Sequence, residues 1–274
     1  RSEDRRTDRL TIMPTSPDIV IIGSGMGGAT LAAGLAPTDA RIVILERGEH
    51  IPDDAPARDP NRIFRNSAFL SDETWLDEKG NRFAPGNYYQ VGGNTKLYGA
   101  VLIRYRAEDF AEMAHAEGVS PAWPFPYEEL APWYDAAEKL YQVRGDVASD
   151  PTEPPHDGPY PFPSVPDEPA IADVRSRLRK AGAQPFSLPL GVEIDRWLKA
   201  GNTGWDGYPD TRCGKMDAET CGLAAALAHD NIELVTGAKV TALKAGPDGK
   251  RIGEVVYEKD GETVTLTPKV VALC

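Results

Sequence analysis

The stretch that decides the fold is Asp18-Ile19-Val20-Ile21-Ile22-Gly23-Ser24-Gly25-Met26-Gly27-Gly28, continued by Ala29-Thr30-Leu31-Ala32-Ala33-Gly34-Leu35-Ala36. The β-branched run 18–22 reads as a buried strand of a parallel sheet. The small-residue run 29–36 reads as a helix, which Pro37 discourages from continuing. A second apolar run, Arg41-Ile42-Val43-Ile44-Leu45, ends in Glu46. The order is strand, GxGxxG, helix, strand, acid.

That order suits a dinucleotide. Gly23 allows the tight turn, Gly25 lets the backbone approach a pyrophosphate, and Gly28 lets the helix pack against the strand. The helix start, with Ser24, Met26 and Gly27 around it, offers free N–H groups and a positive dipole end to phosphates. Glu46 lies 18 residues past Gly28. There it is placed to accept hydrogen bonds from an adenosine ribose and to repel a 2′-phosphate, which disfavours NADP. The motif alone does not separate NAD from FAD, and a ligand-free Gly-rich turn is the bland alternative.

Working outward, Tyr88-Tyr89-Gln90-Val91-Gly92-Gly93-Asn94-Thr95-Lys96-Leu97-Tyr98-Gly99-Ala100 is a second glycine cluster. It is either a tight surface turn or a backbone that comes close to a flat or phosphorylated ligand. Here the chain resembles the glucose–methanol–choline (GMC) flavin oxidoreductases, in their bacterial pyranose-oxidase-like and glycoside-3-oxidase-like branch. The likeness is carried by the FAD fingerprint, by Gly92–Ala100, by Arg104-Tyr105-Arg106-Ala107-Glu108-Asp109-Phe110 and by Ser120-Pro121-Ala122-Trp123-Pro124. It runs from about residue 18 to the last residue and is thin between 150 and 210.

The resemblance implies an α/β fold: a doubly wound, Rossmann-like FAD domain, an interleaved part of a substrate domain, and a β-meander. It implies FAD as cofactor, with Gly23, Ser24, Gly25, Met26, Gly27, Gly28, Glu46 and Arg47 at its adenosine and pyrophosphate end. Gly92, Gly93, Asn94, Leu97, Tyr98 and Gly99 would lie along the pyrophosphate and flavin, and Val240 would offer its backbone to the adenine. Members with covalent flavin use a histidine in the second cluster. Leu97 stands there, so non-covalent FAD is expected.

The implied activity is oxidation of a secondary hydroxyl of a sugar or glycoside (pyranose 2- or 3-oxidation), with the hydride passing to flavin N5 and oxygen or another acceptor reoxidising the flavin. The family's catalytic histidine lies near the end of a longer polypeptide. None of His50, His115, His156 and His229 matches it, so the catalytic residue is expected outside this chain. The complementary C-terminal half, as a missing segment or a separate chain, is an expected partner, and homo-oligomers are possible. The alternatives are an NAD-dependent dehydrogenase and a non-catalytic nucleotide-binding module.

Composition narrows the rest. The 274 residues hold 30 Lys+Arg against 42 Asp+Glu, a formal charge of −12. Such an acidic chain is a poor binder of nucleic acid or anionic membrane. Three cysteines without a CxxC pair suggest neither a disulfide scaffold nor zinc, and no cluster of metal ligands is legible. No run approaches a membrane span and no signal peptide opens the chain, so the cytoplasm is the expected location.

Four regions follow: a charged, disordered leader (1–17); the FAD core and flavin-facing segment (18–150); a Pro-rich arm and partial substrate or lid region (151–212); and a helix and meander returning to the FAD domain (213–274). Residues 151–169 hold eight prolines and read as an extended surface arm, with His156 a surface residue. Residues 171–181 read as an amphipathic helix with Arg175, Arg177, Arg179 and Lys180 in water. Gly201–Asp210 reads as a packed or substrate-proximal loop, and Cys213 and Cys221 as isolated thiols. His115 is placed on a helix. Residues 232–236, 240–243, 251–257 and 263–266 read as the strands of the meander, and Val270–Cys274 as one more buried strand.

Overall fold

The two apolar runs become neighbouring parallel strands. The structure, a computed structural model, describes residues 16–54, 56–199, 206–211 and 214–274. Most of the expected leader, residues 201–205 of the glycine-rich loop and Cys213 lie outside the described residues. Strand β1 (Ile19–Ile22) enters the glycine turn, helix α1 (Met26–Leu35) crosses over, and β2 (Ile42–Leu45) returns beside β1 with Ile19 opposite Ile42. The helix begins three residues earlier than its apolar pattern suggests, so Gly27 and Gly28 lie in its first turn.

Two hairpins follow, β3 (Trp75–Leu76) with β4 (Arg82–Phe83) and β5 (Met113–His115) with β6 (Gly118–Ser120). His115 therefore ends a strand, not a helix turn: the chain reverses at Ala116 and Glu117, so His115 pairs with Gly118 and Met113 with Ser120. Helix α2 (Tyr127–Leu140) precedes β7 (Arg144–Gly145), which pairs with β8 (Phe162–Pro163) inside the Pro-rich arm. Helices α3 (Pro169–Lys180) and α4 (Ile194–Lys199) come next, then a π-helical turn (Ala218–Leu223) that runs into α5 (Ala224–Ala226). The chain continues with β9 (Ile232–Val235), β10 (Lys239–Ala245), β11 (Ile252–Lys259), β12 (Glu262–Leu266) and β13 (Val270–Leu273).

The main sheet is parallel throughout, in the order β13-β1-β2-β9. Side chains alternate across it with period two. Ile21, Ile42, Ile44 and Ile232 face α1, the π-helical turn and α5, packing on Ala29, Ala32, Leu223 and Ala226. Val20, Val43, Leu45 and Val235 face the other way, onto Val255, Tyr257 and Leu266 of the meander β10-β11-β12. Burial on both faces is why these strands carry unbroken apolar runs. Each such side chain contributes about 1.5–3 kcal/mol.

Two strand assignments are corrected. Residues 232–235 belong to the parallel sheet, not the meander, because Ile232 and Val235 bury on opposite faces beside β2. Strand β13 is an edge strand, with Val270 and Leu273 exposed rather than buried.

The Pro-rich arm is extended but not merely superficial. Tyr160 is buried, and the His156 side chain is only 4% exposed. His156 is thus no surface residue: its Nε2 lies 2.8 Å from Glu153 Oε1, inside an ion cluster centred on Arg104. On α3, Arg175 is not simply solvated either. It pairs with Asp167 through Nη2 and Oδ1 at 2.7 Å, and this partner holds the Asp167 carboxyl below its ordinary pKa. Among the described residues no helix is long and apolar enough to cross a membrane.

Candidate functional site

A cleft of 320 Å³ opens at the carboxyl ends of β1, β2 and β13, where open parallel sheets present ligand sites. Its floor is Gly23, Ser24 and Gly25, at the start of α1. Gly23 has φ +100°, and a β-carbon there would lie 2.6 Å from the Cys274 carbonyl oxygen. Gly28 is required by packing: its β-carbon would come within 2.0 Å of the Gly23 carbonyl oxygen. Gly25 differs, since a β-carbon there meets nothing within 4 Å. The Gly25 cap makes no side-chain hydrogen bond and the first turn of α1 holds no acidic residue. Gly25 thus brings the N-terminal end of α1, where a helix carries its positive dipole end, to the cleft.

Glu46 stands at the end of β2, buried. Its Oε2 accepts the Ser24 amide at 3.0 Å and the Ser24 hydroxyl at 2.6 Å, and its Oε1 accepts the Gly48 amide at 2.9 Å. A carboxylate offers about four lone-pair sites. Three are filled by the protein, leaving one on Oε1. Glu46 is thus a brace for the glycine turn.

The second glycine cluster reaches the same place. Gly92 (φ +88°) donates its amide to Ser24 Oγ at 3.1 Å, linking it to Glu46 through Ser24. The β-carbon of an alanine at 93 would lie 3.2 Å from Gly25 Cα, so the two glycine segments touch backbone to backbone. The cluster is pinned from behind. Thr95 Oγ1 donates to Gly92 O at 2.6 Å and accepts the Ala218 amide at 3.1 Å. Buried Lys96 pairs with Asp217 Oδ2 at 3.0 Å and Glu219 Oε2 at 2.7 Å. Burial opposes its charge, but the two carboxylates hold the ammonium protonated, with its pKa raised.

Of the residues singled out in the sequence, Gly23, Ser24, Gly25, Glu46, Arg47, Gly93, Asn94 and Val240 line the cleft together. Met26, Gly27, Gly28, Gly92, Leu97, Tyr98 and Gly99 do not. Leu97 is buried, and the Tyr98 hydroxyl donates to Met216 O at 2.7 Å, away from the cleft. Desolvation raises the Tyr98 pKa. Sequence reasoning passed over Ile22 and Leu45 at the strand ends, the flanking Asn87, Tyr88 and Tyr89, and Lys239 beside Val240. The rule that ligands sit at strand carboxyl ends could have found the first two.

Behind Tyr98 lies Lys215, fully buried, whose Nζ donates to Tyr98 O at 2.9 Å and Tyr208 O at 2.7 Å. Desolvation pulls its pKa down to about 8. Between pH 8 and 9 the unfolded chain keeps a proton that the folded lysine sheds, so this group makes stability rise with pH there. The expected gain is about 1 kcal/mol over that unit. Melting temperatures at pH 8 and 9 check it: Lys215→Met is expected to lose this rise, and an unchanged pH dependence in the variant refutes the assignment.

Among the described residues, Asp135, Glu138 and His156 bring ligand atoms within 4.8 Å of one another, as metal ligands would. The Arg104 guanidinium occupies the space between the two carboxylates. Of the remaining histidines, His50 Nδ1 meets Glu219 Oε1 at 2.6 Å and His115 Nε2 meets Ser120 Oγ at 2.8 Å.

Comparison with known proteins agrees with this geometry. Residues 21–65 match the model of an NAD(P)-binding Rossmann-like domain. The chain is 30% identical over 241 residues to paromamine 6′-oxidase of Streptomyces fradiae, covering 84% of this chain and 41% of that protein. It is 28% identical to 6‴-hydroxyparomomycin C oxidase of Streptomyces lividus, covering 85% and 43%. The chain thus spans less than half the length of these relatives. Among solved structures, its fold matches pyridoxine 4-oxidase from Mesorbium loti (TM-score 0.57, 18% identity, 94% of this chain and 49% of that one). It also matches an FAD-dependent oxidoreductase from Chaetomium thermophilum (TM-score 0.61, 12% identity, 94% and 45%).

Proposed function

The homologues of this chain are flavin oxidoreductases of the GMC type, and from that kinship we propose that the chain forms the FAD-binding part of an enzyme that oxidises an alcohol on a small, sugar-like substrate. The observation that carries the proposal is the cleft itself. Gly25 at the N-terminal end of α1, the Glu46 carboxylate and a backbone-only wall at Gly93 converge on one groove.

The residues present fit the cofactor. Gly23, Gly25 and the first turn of α1 would hold the diphosphate, Glu46 a ribose hydroxyl, and the Val240 backbone the adenine. When bound, FAD supplies the hydride acceptor that the protein's own side chains lack. The chain's contribution is to bind, orient and exclude water at that end. None of the four histidines lines the cleft, and the proton from the substrate hydroxyl is assigned to a base outside this chain.

The two oxidases of aminoglycoside-type name support a sugar-like alcohol as the substrate. The finer reading, oxidation of a secondary pyranose hydroxyl with oxygen or another acceptor as oxidant, rests on the sequence resemblance alone. So do the complementary half as partner and non-covalent attachment.

Gly25→Ala tests the cradle. The added methyl meets no protein atom, so folding and melting temperature are expected to hold within about 1 kcal/mol. FAD retention is expected to fall at least about tenfold, since the methyl occupies the diphosphate path. Protein-bound flavin absorbance after gel filtration reads it. Undiminished retention in the variant, or a colourless wild type that refuses added FAD, defeats the proposal. An NAD-dependent dehydrogenase, favoured by the description of the matching domain, predicts the colourless result.

A further inference from the structure

At the end of β2 this chain carries both residue types that discriminate between ribose and ribose phosphate. An acid there favours a free 2′-hydroxyl, and an arginine beside it receives a 2′-phosphate. Glu46 is followed directly by Arg47, and both line the cleft. Taken by itself, a cleft-facing guanidinium in this place should welcome a phosphate, because its fork of donors matches phosphate oxygens.

The geometry withholds it. Arg47 Nη2 lies 2.9 Å from Glu73 Oε1, and the Arg47 guanidinium stacks 3.8 Å above the Tyr89 ring. The Tyr89 hydroxyl donates to Glu73 Oε2 at 2.6 Å, so both oxygens of Glu73 are engaged and the three side chains lock one another. Tyr89 and Arg47 form wall, while Glu73 stands behind them and does not line the cleft. The two donors also hold the Glu73 carboxyl below its ordinary pKa, so it remains an anion. A 2′-phosphate placed here would have to break the Arg47–Glu73 pair and sit between two carboxylates, Glu46 and Glu73.

We propose that Glu73 is a specificity-determining residue: by neutralising Arg47 it makes the cleft select adenosine diphosphates with a free 2′-hydroxyl and reject those bearing a 2′-phosphate. The inference rests on the reading above that this cleft receives the adenylate end of FAD. It adds a residue outside the glycine fingerprint, remote in sequence, that sets which adenylate enters. The stacked Arg47–Tyr89 pair then serves as a flat, charge-compensated platform instead of a phosphate receptor.

The test is equilibrium binding of two probes, ADP and 2′-phospho-ADP (adenosine 2′-phosphate 5′-diphosphate), to flavin-free protein at one salt concentration, by calorimetry. Wild type is expected to favour ADP by at least about tenfold, which is about 1.4 kcal/mol. Glu73→Gln keeps the size of the side chain and removes its charge, and is expected to shrink that preference at least about tenfold. Glu73→Ala should act in the same direction, and the double variant Arg47→Gln/Glu73→Gln should lose the gain in 2′-phospho-ADP affinity. An ADP-binding wild type with an unchanged ratio in Glu73→Gln and Glu73→Ala overturns this assignment and leaves the FAD reading standing. The same holds if the double variant keeps the gain. A wild type that binds neither ADP nor FAD overturns both.

Discussion

Gly48→Ala is expected to unfold the nucleotide domain or to cost it about 4 kcal/mol or more, a loss at the far end of what single substitutions do. The reason is space and not backbone conformation. A β-carbon on Gly48 would sit 1.3 Å from the Tyr89 carbonyl oxygen, 2.2 Å from its carbon and 2.8 Å from Gln90 Cα. All three are backbone atoms, so no side chain can swing aside. Relief requires the Tyr88–Val91 segment to lift off the end of β2. That segment donates the Val91 amide to Glu49 O at 3.2 Å and leads into Gly92, whose amide reaches Ser24. Moving it also disturbs Glu46, because Gly48 donates to Glu46 Oε1. Gly34→Ala is the matched control: exposed, near the end of α1 and with nothing within 4 Å of the added carbon. There alanine's helix propensity is expected to stabilise by at most about 1 kcal/mol. Urea midpoints of the two variants against wild type check the contrast. A Gly48→Ala protein that melts within a few degrees of wild type would show that the two segments do not press together as described.

Gly48 also shows where sequence reading reaches its limit. The strand–turn–helix–strand unit was legible because its determinants are local: two apolar runs, glycines at fixed offsets and an acid at the next strand end, all within 30 residues of one another. Glycine 48 carries no such signal. Its need arises from Tyr89, 41 residues further on, and becomes visible only when the chain returns. The run at 232–235 was readable as a strand but not as a member of the parallel sheet. Its neighbour in space is β2, whereas its neighbour in sequence, with three residues between, is the first strand of the meander. A short apolar run reads alike in either setting, and burial on both faces decides. Glu73 fails the same way, since it sits in a charged stretch and acquires meaning only from Arg47 and Tyr89. His156 was misjudged because proline-rich context signals solvent, while its true surroundings come from Arg104, Glu138 and Glu153.

That cluster carries the second large expectation: Arg104→Met should cost about 3–5 kcal/mol. Arg104 is 1% exposed and surrounded by acceptors. Its Nε and Nη2 grip Glu138 at 2.6 and 2.7 Å, Nη2 also pairs with Asp135, and Nη1 meets the Tyr127 hydroxyl at 3.0 Å. Tyr127 in turn donates to Pro155 O at 2.8 Å, fastening the Pro-rich arm to α2. Methionine approximates the side-chain stem but leaves two carboxylates, one of them buried, without their cation. Attraction between the charges is not the main quantity at stake. The desolvation of Glu138 is already spent in the folded state, and without Arg104 nothing offsets it. It follows that removing the stranded charge as well should help. Arg104→Met/Glu138→Gln is expected to regain a measurable part of the loss, which a simple sum of two packing defects would not do. The arm reports the damage locally: in Arg104→Met, residues 150–163 should become the first site of limited proteolysis, ahead of the β-sheet core. Equal stability of wild type and Arg104→Met in urea would mean the cluster is solvated and slack. A double variant weaker than the single would mean that Glu138 is held chiefly by partners other than Arg104.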